Sequence, residues 1–111
     1  MDIDELASGR ATVLVIKGRI DSSNAIDLSN RLRALFATRG RLLLIDLQEV
    51  NYITSAGFRT LLIGRRQATS SGGAFALCSL STQMRELFEM GGFMDNFSIH
   101  ATREEGIARL V

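Results

Sequence analysis

Apolar and polar positions along the chain resolve into alternating strands and helices. "ATVLVIK" at 11–17 is a continuous apolar, β-branched run, the pattern of a buried strand. "IDELA" before it is a weaker strand, and Ser8-Gly9-Arg10 between them has the composition of a hairpin turn. Ala25, Leu28, Leu32, Leu35 and Phe36 recur at helical spacing behind "DSSNA", a stretch dense in capping types. They predict a helix over 24–38, with Gly40 ending it. "RLLLIDL" at 41–47 reads as a strand covered on both faces. Asn51 and Tyr52 then read as the end of a loop, followed by a helix from about 55 to 70 with Phe58, Leu61 and Leu62 on its apolar face. "SSGG" at 70–73 stops that helix, and "AFALCSL" at 74–80 is another buried strand. A helix over 82–90 carries Met84, Leu87 and Phe88 and ends at Gly91-Gly92. "FSIHA" at 97–101 is the final strand, and Thr102 and Glu105 have capping-box spacing before the last helix, "REEGIARLV".

This order, two strands and then helices alternating with strands, predicts an α/β fold with a mixed, mostly parallel sheet. Four helices share its faces. No repeat or linker divides the 111 residues, which suffice for one domain with one core. Met84, Leu87, Phe88, Met90, Phe93 and Met94 form an apolar cluster assigned to the core, with Phe93 and Met94 as candidates for an exposed patch.

Composition narrows the function classes. The chain is 46% hydrophobic and 23% charged, ordinary for a soluble globular protein, and its net charge of +1 gives no field that calls for nucleic acid or an anionic membrane. Apolar runs such as "LLLI" are too short to span a bilayer, so no membrane insertion is expected. "MDIDELASGR" lacks the regions of a signal peptide, and Cys78 stands alone; a cytoplasmic location is expected. With one Cys and one His, and with Asp21, Asp46 and Glu49 scattered, no metal site is expected.

Thr54-Ser55-Ala56-Gly57 stands where the chain turns from strand to helix, the crevice region of an open α/β sheet. A nucleophile elbow needs glycines two residues either side of the serine; Gly57 matches but Ile53 does not, and the sole histidine, His100, lies on the last strand. No phosphate-binding glycine motif follows any strand. Two readings stay open. Thr54 or Ser55 caps the helix. Alternatively Ser55 accepts a phosphate, which the helix N-terminus favours and which Arg59, one turn on, can approach.

Three blocks of the sequence together resemble the STAS domains, specifically the single-domain bacterial anti-sigma factor antagonists. "VLVIKGRIDSSNA" is similar to their second strand and its G-x-[IL]-D turn. "LLLIDLQEVNYITSAGFRTLL" is similar to the family signature of strand, D-L, V-x-x-[IM]-[DTS]-S-[STA]-G and helix. "GGAFALCSLSTQMRELFEMGGF" is similar to the strand and helix that follow. The resemblance implies a STAS fold with helices packed mainly on one side of a mixed sheet. It also implies a partner switch without enzyme activity or cofactor. The unphosphorylated antagonist sequesters an anti-sigma factor that is itself a serine kinase of the histidine-kinase-like ATPase fold. The kinase phosphorylates the antagonist and is released, and a PP2C-type phosphatase resets the system. By position the phosphoserine falls on Ser55, with Thr54 a possible second site. The implied partner surface comprises Asp21, Ser22, Ser23, Asn24, Thr54, Ser55, Ala56, Gly57 and Arg59, with the bland role of Asp21 being to cap the 24–38 helix. Leu80-Ser81-Thr82 is placed near that surface or in a simple cap. Thr54 stands where many members have Asp, and Ala56 where Ser or Thr is common. Alternatives are a STAS module of another system (secretion, motility, lipid transport, sulfate transport or stress sensing), a nucleotide-binding module, or a small hydrolase using Ser55.

Overall fold

The structure is a computed structural model and describes residues 1–38 and 42–110. The expected helix stop at Gly40, the strand start at Arg41 and the terminal Val111 lie outside the described residues. Five strands, β1 (Asp2–Ser8), β2 (Ala11–Ile20), β3 (Leu42–Ile53), β4 (Ala74–Cys78) and β5 (Ser98–His100), form one sheet in sequential order. β1 pairs antiparallel with β2, and every later pairing is parallel. The crossovers run through α1 (Ala25–Thr38), α2 (Ser55–Ser70) and α3 (Thr82–Met90), and α4 (Arg103–Leu110) follows β5. The mixed, mostly parallel α/β architecture expected from the hydrophobic pattern is what the chain adopts.

The strands divide their side chains between two cores. Leu14 and Ile16 of β2, Leu43 and Ile45 of β3 and Leu77 of β4 face α1, α2 and α3, where Leu28, Leu32, Leu61, Met84 and Phe88 close the larger core. Val13, Val15, Leu44, Ala76 and Cys78 point the other way and are covered by Ile107 and Leu110 of α4. Three helices on one face and one on the other explain why β3 and β4 read as continuous apolar runs rather than alternating ones. Burial pushes the Cys78 thiol up to about 11.

β3 departs from the expected strand over 41–47. It continues to Ile53, so the residues read as a loop belong to the strand: Tyr52 pairs with Arg19 of β2, and Asn51 is the extra residue of a bulge. The register slips twice: Val15 pairs Asp46 but Lys17 pairs Glu49, and Gly18 pairs Val50 but Arg19 pairs Tyr52. Each slip places one extra residue in β3, the signature of a β-bulge. The inward residues of this half-strand become Leu47, Val50 and Ile53, a spacing of three that disguises the strand. β4 instead stops two residues early, at Cys78, because Ser79 takes up a left-handed φ of 63°. The sequential strand order also removes the expected crevice: with all three crossover helices on one face, no reversal of strand order opens a switch point.

The apolar cluster late in the chain packs differently from expectation. Phe93 and Met94 lie against the larger core, whereas Met90 is 84% exposed. Met90 is the last residue of α3, and the helix presents Met84, Leu87 and Phe88 inward instead.

Two contacts fasten α4. A Cβ on Gly106 would lie 2.7 Å from Leu44 Cδ1, so glycine lets the helix sit this close to β3 without displacing the Leu44 side chain. Asp46, buried on β3, accepts from Arg103 Nε and Nη2 on one oxygen at 3.0 and 2.9 Å, and from the Gln48 N–H on the other at 3.0 Å. Removing the arginine strands a buried carboxylate. Arg103→Met is expected to lower the unfolding free energy by about 3 kcal/mol, with Asp46→Asn in the same chain recovering part of the loss. Urea denaturation of the two variants checks this; an Arg103→Met chain as stable as the parent would show that α4 is held by packing alone.

Candidate functional site

At the C-terminal end of β3 the chain passes from strand to helix with one residue between them. Thr54 is extended (φ −100°, ψ 175°), and its N–H donates to Ile20 O at 3.0 Å, continuing the pairing with β2. Its C=O already accepts from the Phe58 N–H at 3.0 Å, the first bond of α2. The cap expected from Thr54 or Ser55 is absent: the Thr54 side chain makes no capping bond, and its Oγ1 is buried without a hydrogen-bond partner. The early N–H groups of α2, which have no intrahelical acceptor, are therefore not covered by the residue placed to cover them.

Gly57 sets the geometry of the turn. A Cβ there would lie 2.7 Å from Ile53 Cγ1, 2.8 Å from Ile20 Cγ2 and 3.1 Å from Ile20 O. The first turn of α2 thus rests directly on the ends of β2 and β3. Behind it Phe58 stacks on Phe93 with centroids 4.2 Å apart and meets Phe88 edge-on at 4.8 Å. Successive helical residues are about 100° apart, so a buried Gly57 places Ser55 on the opposite side. Ser55 is exposed, Ala56 half-buried and Arg59 exposed. Thr60 points inward, its hydroxyl donating to Ala56 O at 3.1 Å.

The loop from β2 into α1 reaches the same end of the molecule. Asp21 caps the turn that leads into α1, as expected. Its C=O accepts from the Ala25 N–H at 2.8 Å, and its Oδ1 accepts from the N–H and the hydroxyl of Ser23. Asn24 Oδ1 accepts from the Asp21 N–H, and Asn24 Nδ2 donates to Arg19 O, both at 2.9 Å. The loop thereby satisfies its own polar groups before the helix starts. The Ser23 hydrogen bonds, with help from Arg19, hold the Asp21 carboxyl below its ordinary range. Its stabilising contribution is present above the unfolded-state value and fades as acid passes below it. Ser22 and Ser23 are exposed.

Ser22, Ala56 and Arg59 line one shallow groove between the starts of α1 and α2, so the structure brings these expected site residues together. Leu80-Ser81-Thr82 does not join them. Ser81 caps α3, its hydroxyl accepting from the Met84 N–H at 3.1 Å, and Leu80 and Ser81 line a separate cavity beside Asp46. Sequence reasoning missed Ile26, which is 71% exposed on α1 at the groove. The available signal was its position one residue past Ala25, off the apolar face. Among the described residues no cluster of His, Cys, Asp or Glu could hold a metal ion, and no helix is long and apolar enough to cross a membrane.

The model of the STAS domain matches residues 3–106. The chain belongs to the STAS domain family. It is 33% identical over 96 residues to BtrV of Bordetella bronchiseptica, covering 86% of this chain and 83% of that protein. Over 92 residues it is 33% identical to the anti-sigma-B factor antagonist of Bacillus subtilis, covering 83% and 84% of the two chains. Among solved structures, the Bacillus anti-sigma factor antagonist SpoIIAA shares the fold at 18% identity. Its unphosphorylated form matches with a TM-score of 0.74 over 97% of this chain and 96% of that one. Its phosphorylated form matches with 0.75 over 99% and 100%.

Two substitutions test the turn. Gly57→Ala is expected to cost about 1–3 kcal/mol by overpacking, because two of its three contacts are branched side chains locked in the core. Thr54→Val removes a buried hydroxyl without a partner at nearly constant shape and is expected to raise the melting temperature by a few degrees. Calorimetry on both variants decides. A Thr54→Val chain that melts lower than the parent would show that the hydroxyl has a partner in solution.

Proposed function

We propose that this chain is an anti-sigma factor antagonist switched by phosphorylation at Ser55. The unphosphorylated chain binds and sequesters an anti-sigma factor that is a serine kinase of the histidine-kinase-like ATPase fold. The kinase moves the γ-phosphoryl group of ATP onto Ser55 Oγ; the hydroxyl proton leaves and ADP is the other product. The modified chain then lets go. A PP2C-type phosphatase adds water across the phosphoester, freeing phosphate and restoring the hydroxyl. The chain acts in the cytoplasm, as a binding protein rather than a catalyst.

One observation carries this reading: Ser55 is exposed at the first position of α2, turned outward by the fit of Gly57, beside helix N–H groups that Thr54 leaves uncapped. A phosphate there meets the positive end of the helix dipole and free donors. The neighbouring Thr54 hydroxyl is buried, which favours Ser55 as the acceptor. The partner meets the opposite situation. About two added charges in its interface cost several kcal/mol unless they are paired. The names of the curated relatives support the antagonist role, and the solved phosphorylated form of SpoIIAA supports a fold that can carry a phosphate.

The test is mass spectrometry after incubation with the kinase encoded beside the gene and ATP. One phosphate on Ser55 is expected, and Ser55→Ala abolishes it. In binding assays Ser55→Asp is expected to weaken the kinase complex about tenfold or more, while Ser55→Ala binds and resists release by ATP. Ser55→Asp binding as tightly as the parent would remove the switch. Turnover of an ester that depends on Ser55 with no partner present would replace it with a hydrolase.

A further inference from the structure

The groove between α1 and α2 has a volume of about 240 Å³, with Ala25, Ile26 and Ala56 supplying apolar surface and Arg59 at its edge. Ile63, 40% exposed, continues the apolar surface one turn further along α2. α2 carries Arg59, Arg65 and Arg66 and no acidic residue. Among the described residues no hydrogen bond or ion pair engages the exposed Arg59 side chain. An apolar floor beside an unneutralised guanidinium is complementary to a partner ridge that presents an aliphatic side chain and a carboxylate.

Arg59 also lies within reach of Ser55. The two residues are four apart, about 40° around the helix axis, and helical side chains lean toward the N-terminus. A guanidinium in that position pairs readily with a phosphate.

We infer that Arg59 is the exchange point of the switch. In the unmodified chain it pairs with a carboxylate of an acidic protein surface seated on the α1–α2 groove. Once Ser55 carries a phosphate, Arg59 turns to it. The partner then loses its counter-charge as well as meeting a new negative group. This inference rests on the reading of Ser55 as the modified residue.

The test uses the full chain with phosphoserine placed at 55 by genetic encoding, so that no kinase is needed to make it. Phosphorus NMR against pH reads the second ionisation of the phosphate, which lies near pH 6 for phosphoserine. It is expected at lower pH in the parent than in Arg59→Gln, with Arg59→Lys between them. The helix end acts equally on all three, so the difference belongs to residue 59. Titration calorimetry with the neighbouring kinase is the second arm. For the unmodified chain, Arg59→Gln is expected to weaken binding about three- to tenfold and to flatten its salt dependence. The penalty that phosphorylation imposes on binding should shrink in Arg59→Gln by a similar factor. An ionisation that ignores residue 59, or a phosphorylation penalty of the same size in Arg59→Gln, overturns the exchange alone. A kinase that fails to bind the unmodified parent overturns the functional reading and the exchange with it.

Discussion

The missing side chain at Gly57 is the constraint on which the site depends. Two isoleucines from adjacent strands, Ile20 and Ile53, pack where its Cβ would be. They are cross-strand partners at the last step of the β2–β3 ladder, and the Thr54 N–H extends that ladder by one bond to Ile20 O. Strand and helix are therefore joined by a single ordered residue instead of a loop. The rotation of α2 about its axis is fixed at its first turn. Ser55 faces solvent because Gly57 cannot, and Arg59 and Ser55 share a side because four residues nearly complete a turn.

The rest of the larger core backs this turn. Phe58 follows Gly57 and enters the aromatic group of Phe88 and Phe93, so the helix start is clamped from below by aliphatic side chains and from behind by rings. Further along, Gly64 lets α2 approach Leu32 of α1 and Phe75 of β4, at 2.9 and 3.1 Å from where its Cβ would stand. Close-packed interiors resist gradual deformation. A charge added to Ser55 thus changes the surface of a rigid scaffold. The adjacent 21–24 loop contributes through its own closed hydrogen bonds and adds exposed hydroxyls to the same end.

Most of the fold was legible because β2, the first half of β3 and β4 are buried on both faces and the helices carry regular apolar stripes. The exceptions have physical causes. Two bulges turned the second half of β3 into a period of three, so Asn51 and Tyr52 looked like loop residues. A left-handed Ser79 ended β4 inside an apolar run. Caps were legible with one exception. Ser81 caps α3, Thr102 accepts from the Glu105 N–H, and Asp21 and Asn24 together cap the turn into α1, yet Thr54 leaves its hydroxyl unused. Residue type gives the capacity to cap, and the local rotamer decides whether it is used. The hydroxyl pair at 54–55 could be narrowed only to capping or modification from its own residues; the resemblance to STAS domains singled out Ser55. Ile26 escaped notice because exposure is not written in one residue's identity.

The central claim is that phosphorylation is read by the partner while the fold stays as it is. Amide hydrogen exchange of the chain with and without phosphoserine at 55 tests it most directly. Altered protection is expected only in the first turn of α2 and the 21–24 loop, with β2, β3 and the body of α2 unchanged. Loss of protection spreading through α2 or across the β2–β3 pairing would contradict the account.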